Sequence, residues 1–341
     1  MSFLQTTGDV IGFLILSLIA IIESFVKMLI PAKYKMKSIV GDIALVTGGG
    51  GGLGRLVALR LANLGAIVVV WDVNKIFISA LEETVKLVQA AGGTCYGYVC
   101  DLCDREDVYK KAAIVKQEVS ILINNAGVAH GKKFLDTPDN LIIRTMDVNI
   151  MSHFWTAKAF LPSMIENNKG HIVSIASLAG HVGVSKLVDY CASKYAAVGF
   201  EESLHMELAA DGYNINTTVV CPFFIRSTGM FDNAESRYVP HFTHSHEDST
   251  ERIVTAMRCN EKIAILPSYI RLLLIAKWVF PWSCTMMVMR NIVEDPAPSN
   301  SPSTPSSSII EKEETILSKE QNGANIRHQL TRRVSSSERK P

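Results

Sequence analysis

The sequence predicts an α/β fold: a doubly wound parallel sheet of about seven strands, with a hydrophobic helix ahead of it and a disordered tail behind. Three observations carry that expectation. Between about Gly41 and Leu266, short runs mostly dense in Val and Ile alternate with helical stretches, as strands do when helices cover both faces of a parallel sheet. The thirteen residues from Val10 to Ile22 carry no charge. From about Glu294 onward Ser, Pro, Asn, Lys and Glu dominate with no apolar periodicity, a composition that buries too little apolar surface to offset the entropy of ordering. The expected division is a membrane anchor and basic flank over 1–38, one folded domain over 39–290 and a tail over 291–341.

Composition narrows the function classes. The 341 residues hold 34 Lys and Arg against 33 Asp and Glu, a net charge of +1. Such balance gives no bulk attraction to a polyanion, so no nucleic-acid partner is expected. Hydrophobic residues make up 48% and charged residues 20%, below the roughly 25% charged of typical chains, which leans toward burial or membrane contact. Seven cysteines, odd in number and irregularly spread, do not resemble a disulfide framework and point to a reducing compartment.

A helix over residues 10–30 would reach roughly 30 Å, the thickness of a hydrocarbon core. Asp9 stands before it, whereas Lys27, Lys33, Lys35 and Lys37 follow, which places the bulk of the chain on the cytosolic side. Neither a basic start nor a small-residue cleavage site is visible, so the segment reads as an uncleaved anchor. The alternative is an amphipathic helix lying in the interface, favoured if Glu23 and Lys27 share a polar face.

The strand-like runs are Ile43 to Thr47, Ala66 to Trp71, Thr94 to Val99, Ser120 to Asn124, Gly170 to Ala176, Ile215 to Val220 and Ile263 to Leu266. In a doubly wound sheet ligands sit beyond the carboxyl ends of the strands. After the first run comes Thr47-Gly48-Gly49-Gly50-Gly51-Gly52-Leu53-Gly54, then the helical stretch Arg55 to Leu64. Glycines there let the backbone approach a pyrophosphate, and the helix start offers free N–H groups and the positive end of its dipole. Asp72 closes the second run, where a carboxylate accepts hydrogen bonds from an adenosine ribose and repels a 2′-phosphate. No Lys or Arg interrupts Gly48 to Gly54. NAD is therefore favoured over NADP, with Lys75 the nearby cation that speaks against it.

Further on stands Tyr190-Cys191-Ala192-Ser193-Lys194, with Ser177 thirteen residues before Tyr190. On a helix Tyr190 and Lys194 project from one face. A cation within hydrogen-bonding range lowers the phenol below its ordinary value near ~10, making a general acid or base usable near neutral pH.

Residues 40 to about 266 resemble a short-chain dehydrogenase/reductase, a Rossmann-type fold. The resemblance rests on Thr47 to Gly54, Asn124-Asn125-Ala126-Gly127, Asn149, Ser177 and the Tyr190/Lys194 pair. Trp71-Asp72-Val73-Asn74, Gly131-Lys132-Lys133-Phe134, Met146-Asp147-Val148-Asn149 and Cys221-Pro222-Phe223-Phe224-Ile225 are similar to the membrane-anchored branch of epidermal retinol dehydrogenases and 17β-hydroxysteroid dehydrogenases. It implies that Tyr190 exchanges a proton with the substrate oxygen, Ser177 hydrogen-bonds that oxygen, Lys194 binds the nicotinamide ribose and keeps Tyr190 acidic, and Asn149 steadies a water. It further implies that Gly48, Gly52, Leu53 and Gly54 shape the pyrophosphate turn, Asp72 meets the adenosine ribose, Asp101 the adenine edge and Asn125 the following ribose region. Ser227 and Thr228 both lie near the offset at which the family places a threonine against the carboxamide. The run of five glycines departs from relatives, which usually carry Ala or Ser there, and is expected to loosen the loop.

Other groups receive plainer readings. Cys100 and Cys103 have redox spacing but follow a strand rather than opening a helix. His241, His244 and His246 sit in the expected substrate loop without a convincing fourth ligand, so no metal is expected. Asn216-Thr217-Thr218 falls on an expected strand, which disfavours glycosylation. Phe223, Phe224, Met230 and Phe231 are expected to line an apolar pocket, and Ser268 to Trp282 reads as an interfacial helix, its alternative a packing surface for another subunit. The resemblance implies hydride transfer between NAD(H) and a lipophilic, retinol-like or steroid-like alcohol or carbonyl at an endoplasmic reticulum or lipid-droplet surface. The alternative is a membrane-associated scaffold with weak catalysis. A homodimer is among the expected partners.

Overall fold

A computed structural model describes residues 3–73, 78–115, 118–223, 225 and 245–292. Seven strands, β1 (Ile43–Thr47), β2 (Ile67–Asp72), β3 (Thr94–Val99), β4 (Ile121–Asn124), β5 (Gly170–Ile175), β6 (Ile215–Pro222) and β7 (Ile263–Leu266), form one sheet in the order β3-β2-β1-β4-β5-β6-β7. All six pairings are parallel. The helices described are α1 (Phe3–Leu29), α2 (Gly52–Asn63), α3 (Ile78–Ala90), α4 (Arg105–Ile114), α5 (Asp139–Met146), α6 (Ser152–Glu166), α7 (Val188–Ala210), α8 (His246–Arg258), α9 (Ile270–Val279) and α10 (Trp282–Ile292). Strand order reverses between β1 and β4, which opens the crevice at their carboxyl ends.

Alternation along each strand divides the core in two. Val46, Val68, Val70, Ile121 and Ile123 face α2 and α8, where Val57, Leu61, Ile253 and Met257 meet them. Leu45, Val69, Trp71, Leu122 and Ile172 face the other way, onto α4, α6 and α7, through Val108, Phe160, Met164 and Leu208. Strand ends differ from the expected runs by a residue or two. β6 continues because Cys221 and Pro222 still pair with Ile265 and Leu266. Ala66 drops out of β2 because its N–H closes the end of α2 on the Leu61 carbonyl at 3.1 Å. Between α5 and α6 the chain stays helical but widens into a π turn over Asp147–Met151, a local defect that places Asn149 at its centre.

Helix α1 spans 27 residues, and Gly8–Leu29 is long and apolar enough to cross a membrane. Glu23 and Lys27 do pair, at 3.5 Å. Yet Phe13, Leu14, Ile15 and Leu16, consecutive around the helix, are all exposed, so the apolar surface is not confined to one face. The linker behind it is strapped to the domain: Lys37 N donates to the Arg258 carbonyl (2.8 Å) and Arg258 Nε to the Lys37 carbonyl (2.9 Å). At the other end the helix expected over Ser268 to Trp282 is α9, ending at Val279, and a further helix, α10, begins after Pro281, which interrupts the backbone hydrogen bonding between them. Leu272, Ile275, Trp278, Val279, Phe280 and Trp282 are exposed. The expected tail beyond Ile292 lies outside the described residues.

Candidate active site

The turn after β1 is shaped by close contact. Gly48 has φ +64°, and a Cβ there would stand 2.9 Å from Ala126 Cα. A Cβ on Gly54 would overlap the Gly48 carbonyl oxygen and come within 2.6 Å of Asn125 Nδ2. That amide donates to the Thr47 carbonyl (2.9 Å) and the Gly48 carbonyl (3.3 Å). Thr47 Oγ1 in turn accepts from Asn125 N (3.0 Å) and Ala126 N (3.1 Å). The ends of β1 and β4 are thus stitched together by side chains. Gly50 N donates to Asp72 Oδ2 at 2.9 Å and Val73 N to Oδ1 at 2.8 Å, so Asp72 holds the turn. Gly52 is the first residue of α2, and Leu53 packs against the core. The five glycines are therefore not uniformly loose. At Gly51 alone among Gly48 to Gly51 a Cβ would meet nothing within 4 Å, and this open cradle lies beside the start of α2. A close-approach backbone, free helix-end N–H groups and a strand-end carboxylate fit a dinucleotide. Asp101, exposed after β3, accepts from Cys103 N at 2.9 Å.

The second half of the site lies after β5. Ser177 Oγ accepts from Ala179 N at 3.1 Å. Tyr190, in the first turn of α7, is 5% exposed and hydrogen-bonds Ser177 through its side chain. One turn on, Lys194 is 3% exposed; its Nζ donates to the Ile175 carbonyl at 2.8 Å and lies 5.6 Å from the Tyr190 ring centre. The three side chains come together as expected, but the expected acidification does not follow. Burial pushes the phenol well above its ordinary value near 10, opposed in part by the Ser177 hydrogen bond. The lysine bonds a main-chain carbonyl instead of the phenol oxygen, and burial lowers its ammonium to about 8.

Asn149 is fully buried. Its Oδ1 accepts from Val128 N (2.8 Å), while Nδ2 donates to the Val128 carbonyl (2.9 Å) and Ser193 Oγ (3.0 Å). The side chain is a bracket between the loop after β4 and α7. Lys75, Ser227, Thr228, Phe224, Met230, Phe231, His241 and His244 lie outside the described residues. Phe223 packs against the buried cluster that includes Leu178 and Val182. Burial pushes the Cys100 thiol up to about 12 and the Cys103 thiol to about 11, which suppresses the thiolate that redox chemistry needs. Among the described residues no three His, Cys, Asp or Glu side chains are grouped to hold a metal.

Sequence reasoning passed over several residues. Thr47 opens the glycine motif, and the sequence assigns it no role of its own. Arg55 directly follows the glycine turn and donates to the Gly50 carbonyl (2.7 Å) while pairing with Glu83 (2.8 Å). His181 Nε2 lies 3.3 Å from Cys221 Sγ, and the His181 carbonyl accepts from Lys277 Nζ at 2.6 Å. That last contact joins α9 to the rim of the site and had no local signal.

A family model described as short chain dehydrogenase matches residues 42–238. Epidermal retinol dehydrogenase 2 of Homo sapiens is 43% identical over 297 residues, covering 84% of this chain and 94% of that protein. Estradiol 17-beta-dehydrogenase 11 of Rattus norvegicus is 43% identical over 277 residues, covering 80% and 90%. A short-chain dehydrogenase/reductase from Burkholderia phymatum, solved in complex with NAD, matches with TM-score 0.64 and 25% identity over 78% of this chain and 100% of that one. A metagenomic short-chain oxidoreductase solved with NADP matches with TM-score 0.56 and 26% identity over 67% and 97%. With more than half of its residues inside that family model, and close relatives matched along nearly their whole length, this chain belongs to the short-chain dehydrogenases, oxidoreductases that act on CH–OH groups.

Proposed function

We propose that this protein transfers hydride between NAD(H) and a lipophilic alcohol or carbonyl of retinol-like or steroid-like kind, presented at an endoplasmic reticulum or lipid-droplet surface with the catalytic domain on the cytosolic side. The observation that carries the reading is the buried contact of Ser177 with Tyr190 one helical turn from Lys194, at the carboxyl end of the sheet. NAD, when bound, supplies the carbon that accepts or returns the hydride and the positive charge of the nicotinamide ring. The protein's own part is proton handling and placement. Ser177 and Tyr190 converge on one oxygen, so a substrate carbonyl meets two hydroxyls at once. Burial keeps Tyr190 protonated, ready to donate in the reducing direction; in the oxidising direction the phenolate that must form draws on the nearby Lys194 ammonium. Asn149 fixes the wall of the cleft against α7. Glycines 48, 52 and 54, Leu53, Asn125, Asp72 and Asp101 line the path for the dinucleotide. NAD over NADP is supported by Asp72 and by Arg55, which is held by Gly50 and Glu83.

The membrane setting is supported by α1 and by the exposed apolar surface of α9 and α10, where Trp278 is 84% exposed, joined to the site through Lys277 and His181. The same surface suits a second copy of the chain, which light scattering of the detergent-purified protein separates from lipid binding in vesicle flotation. The decisive experiment titrates full-length protein with NADH and NADPH and measures turnover on retinoids, steroids and fatty alcohols. Tyr190→Phe abolishes turnover while NADH binding persists. Full activity in that variant overturns the proton role, tighter NADPH binding overturns the cofactor choice, and absence of both binding and turnover favours the scaffold.

A further inference from the structure

Beneath the Tyr190 helix lies a set of buried polar groups that hydride transfer does not use. Glu201 stands seven residues after Lys194, so the two project from one face of α7, two turns apart. Lys194 binds the Ile175 carbonyl of β5. Glu201 reaches the preceding residue, with Oε2 on Ser174 Oγ, and its Oε1 accepts from Thr218 N of β6 at 3.1 Å. It is 1% exposed. Its hydrogen-bond partners are a hydroxyl and a main-chain N–H, and among the described residues no cation forms an ion pair with it. A carboxylate so placed is costly to keep charged.

Two chains of hydrogen bonds leave this carboxyl. Ser174 Oγ lies 3.3 Å from Nδ1 of His153, a buried imidazole on α6 whose Nε2 has no hydrogen-bond partner among the described residues. On the other side Thr218 Oγ1 donates to the Glu261 carbonyl at 2.6 Å. His171 Nε2, 2.8 Å from that oxygen, must then be the donor, which leaves Nδ1 to accept from Lys37 Nζ at 2.7 Å. The linker behind α1 is thereby connected, through β5 and β6, to the floor under Lys194.

We propose that Glu201 is a positioning residue for the Tyr190–Lys194 pair: a neutral, proton-bearing carboxyl that bolts α7 onto β5 and β6 directly beneath the lysine. The proposal rests on the reading of Tyr190 and Lys194 as the proton-handling pair. Geometry gives the bolt, and burial agrees with its neutrality by pushing the carboxyl to about 8. The ionisable groups around it are Lys194 and His205 on its own helix, His153 on α6, Lys262 at the start of β7, and His171 with Lys37 beyond Thr218. Ionising Glu201 buries a charge at a cost that outweighs the favourable field of Lys262. A glutamine preserves the bolt, its carbonyl accepting from Thr218 N and its amide donating to Ser174 Oγ; an alanine removes it.

The test uses full-length wild type, Glu201→Gln and Glu201→Ala in detergent micelles. Infrared spectra of the wild type at pH 7 show a protonated-carboxyl stretching band that E201Q lacks. Stability of the wild type declines as pH rises from about 6.5 to about 8, where only the unfolded state has already lost this proton, and E201Q removes the decline. On whichever alcohol the protein turns over, E201Q keeps kcat within about twofold at pH 7, whereas E201A loses roughly tenfold or more with little change in cofactor KM. Above about pH 8 the E201Q rate profile stays higher than the wild type's. A missing band at pH 7, E201Q as impaired as E201A, or E201A with wild-type kcat and pH profile overturns the proposal. The infrared and stability measurements decide it even if no substrate is turned over or E201A fails to fold, so its failure is distinct from failure of the dehydrogenase reading.

Discussion

Two glycines three residues apart in the same turn are expected to respond to a side chain in opposite ways. Gly54→Ala drives a methyl into the Gly48 carbonyl and to within 2.6 Å of Asn125 Nδ2. Neither neighbour can yield cheaply, since one is backbone and the other donates to the Thr47 and Gly48 carbonyls. Overpacking costs about 1–3 kcal/mol, and leaving the amide's partners unpaired about as much again. Because the clash falls on the cradle itself, most of that cost appears as lost cofactor affinity, at about 1.4 kcal/mol per factor of ten. NADH titration of G54A should therefore show at least tenfold weaker binding. Gly51→Ser meets nothing within 4 Å, its φ of −165° is extended backbone open to any residue, and it occupies the N-cap of α2. Restricting the unfolded chain and capping the helix should stabilise it by about 0.4–1 kcal/mol, a rise in Tm of about 1–3 °C for a domain of this size, with NADH affinity kept. Wild-type binding by G54A, or a loss by G51S equal to that of G54A, would refute the reading of this turn as a contact-shaped cradle.

Thr47→Val keeps the shape of the side chain but strips the acceptor from Asn125 N and Ala126 N; denaturant unfolding should show a loss of about 2–4 kcal/mol and NADH binding should weaken with it. Acid stability follows from His153, held by burial at about 3, and His171, held by burial well below its ordinary 6.5. Below about pH 6.5 the unfolded state takes up these two protons while the fold does not, so stability falls as pH falls. Glu201 opposes them between 4.5 and about 8, because there the fold holds the proton that the unfolded chain has lost. Near pH 5.5, urea midpoints should show the fall of stability with acid steeper by about 1.2 kcal/mol per pH unit in Glu201→Gln than in wild type, and shallower in His171→Gln. Lys277→Met removes the bonds to the His181 carbonyl and the Tyr195 hydroxyl; initial rates should show KM for the lipophilic substrate rising more than kcat falls, with stability changed by less than about 1 kcal/mol.

What the sequence displayed was whatever is local. β1 and β7 stand at their expected bounds because dense apolar runs leave little choice, β3 keeps its bounds too although only Cys95 along it is buried, and the glycine turn and the Tyr190/Lys194 spacing are short-range patterns whose geometry follows from strand and helix periods. The electrostatics did not follow in the same way. Spacing places Lys194 one turn from Tyr190, but only the packed structure shows that Ile175 takes its hydrogen bonding and that burial of the phenol outweighs its hydrogen bond with Ser177. Asn149 was recognisable by its position in a motif; its three bonds to Val128 and Ser193 depend on a π turn that no periodicity announces. Glu201 reads as one acid in the helical run Phe200-Glu201-Glu202-Ser203, and only the register of β5 against β6, which aligns Val173 with Thr218, shows that one of those neighbouring acids is buried while the other is exposed. The groups least legible in the sequence are thus those whose partners come from three different elements at once, and they are also the groups whose charge state the fold decides.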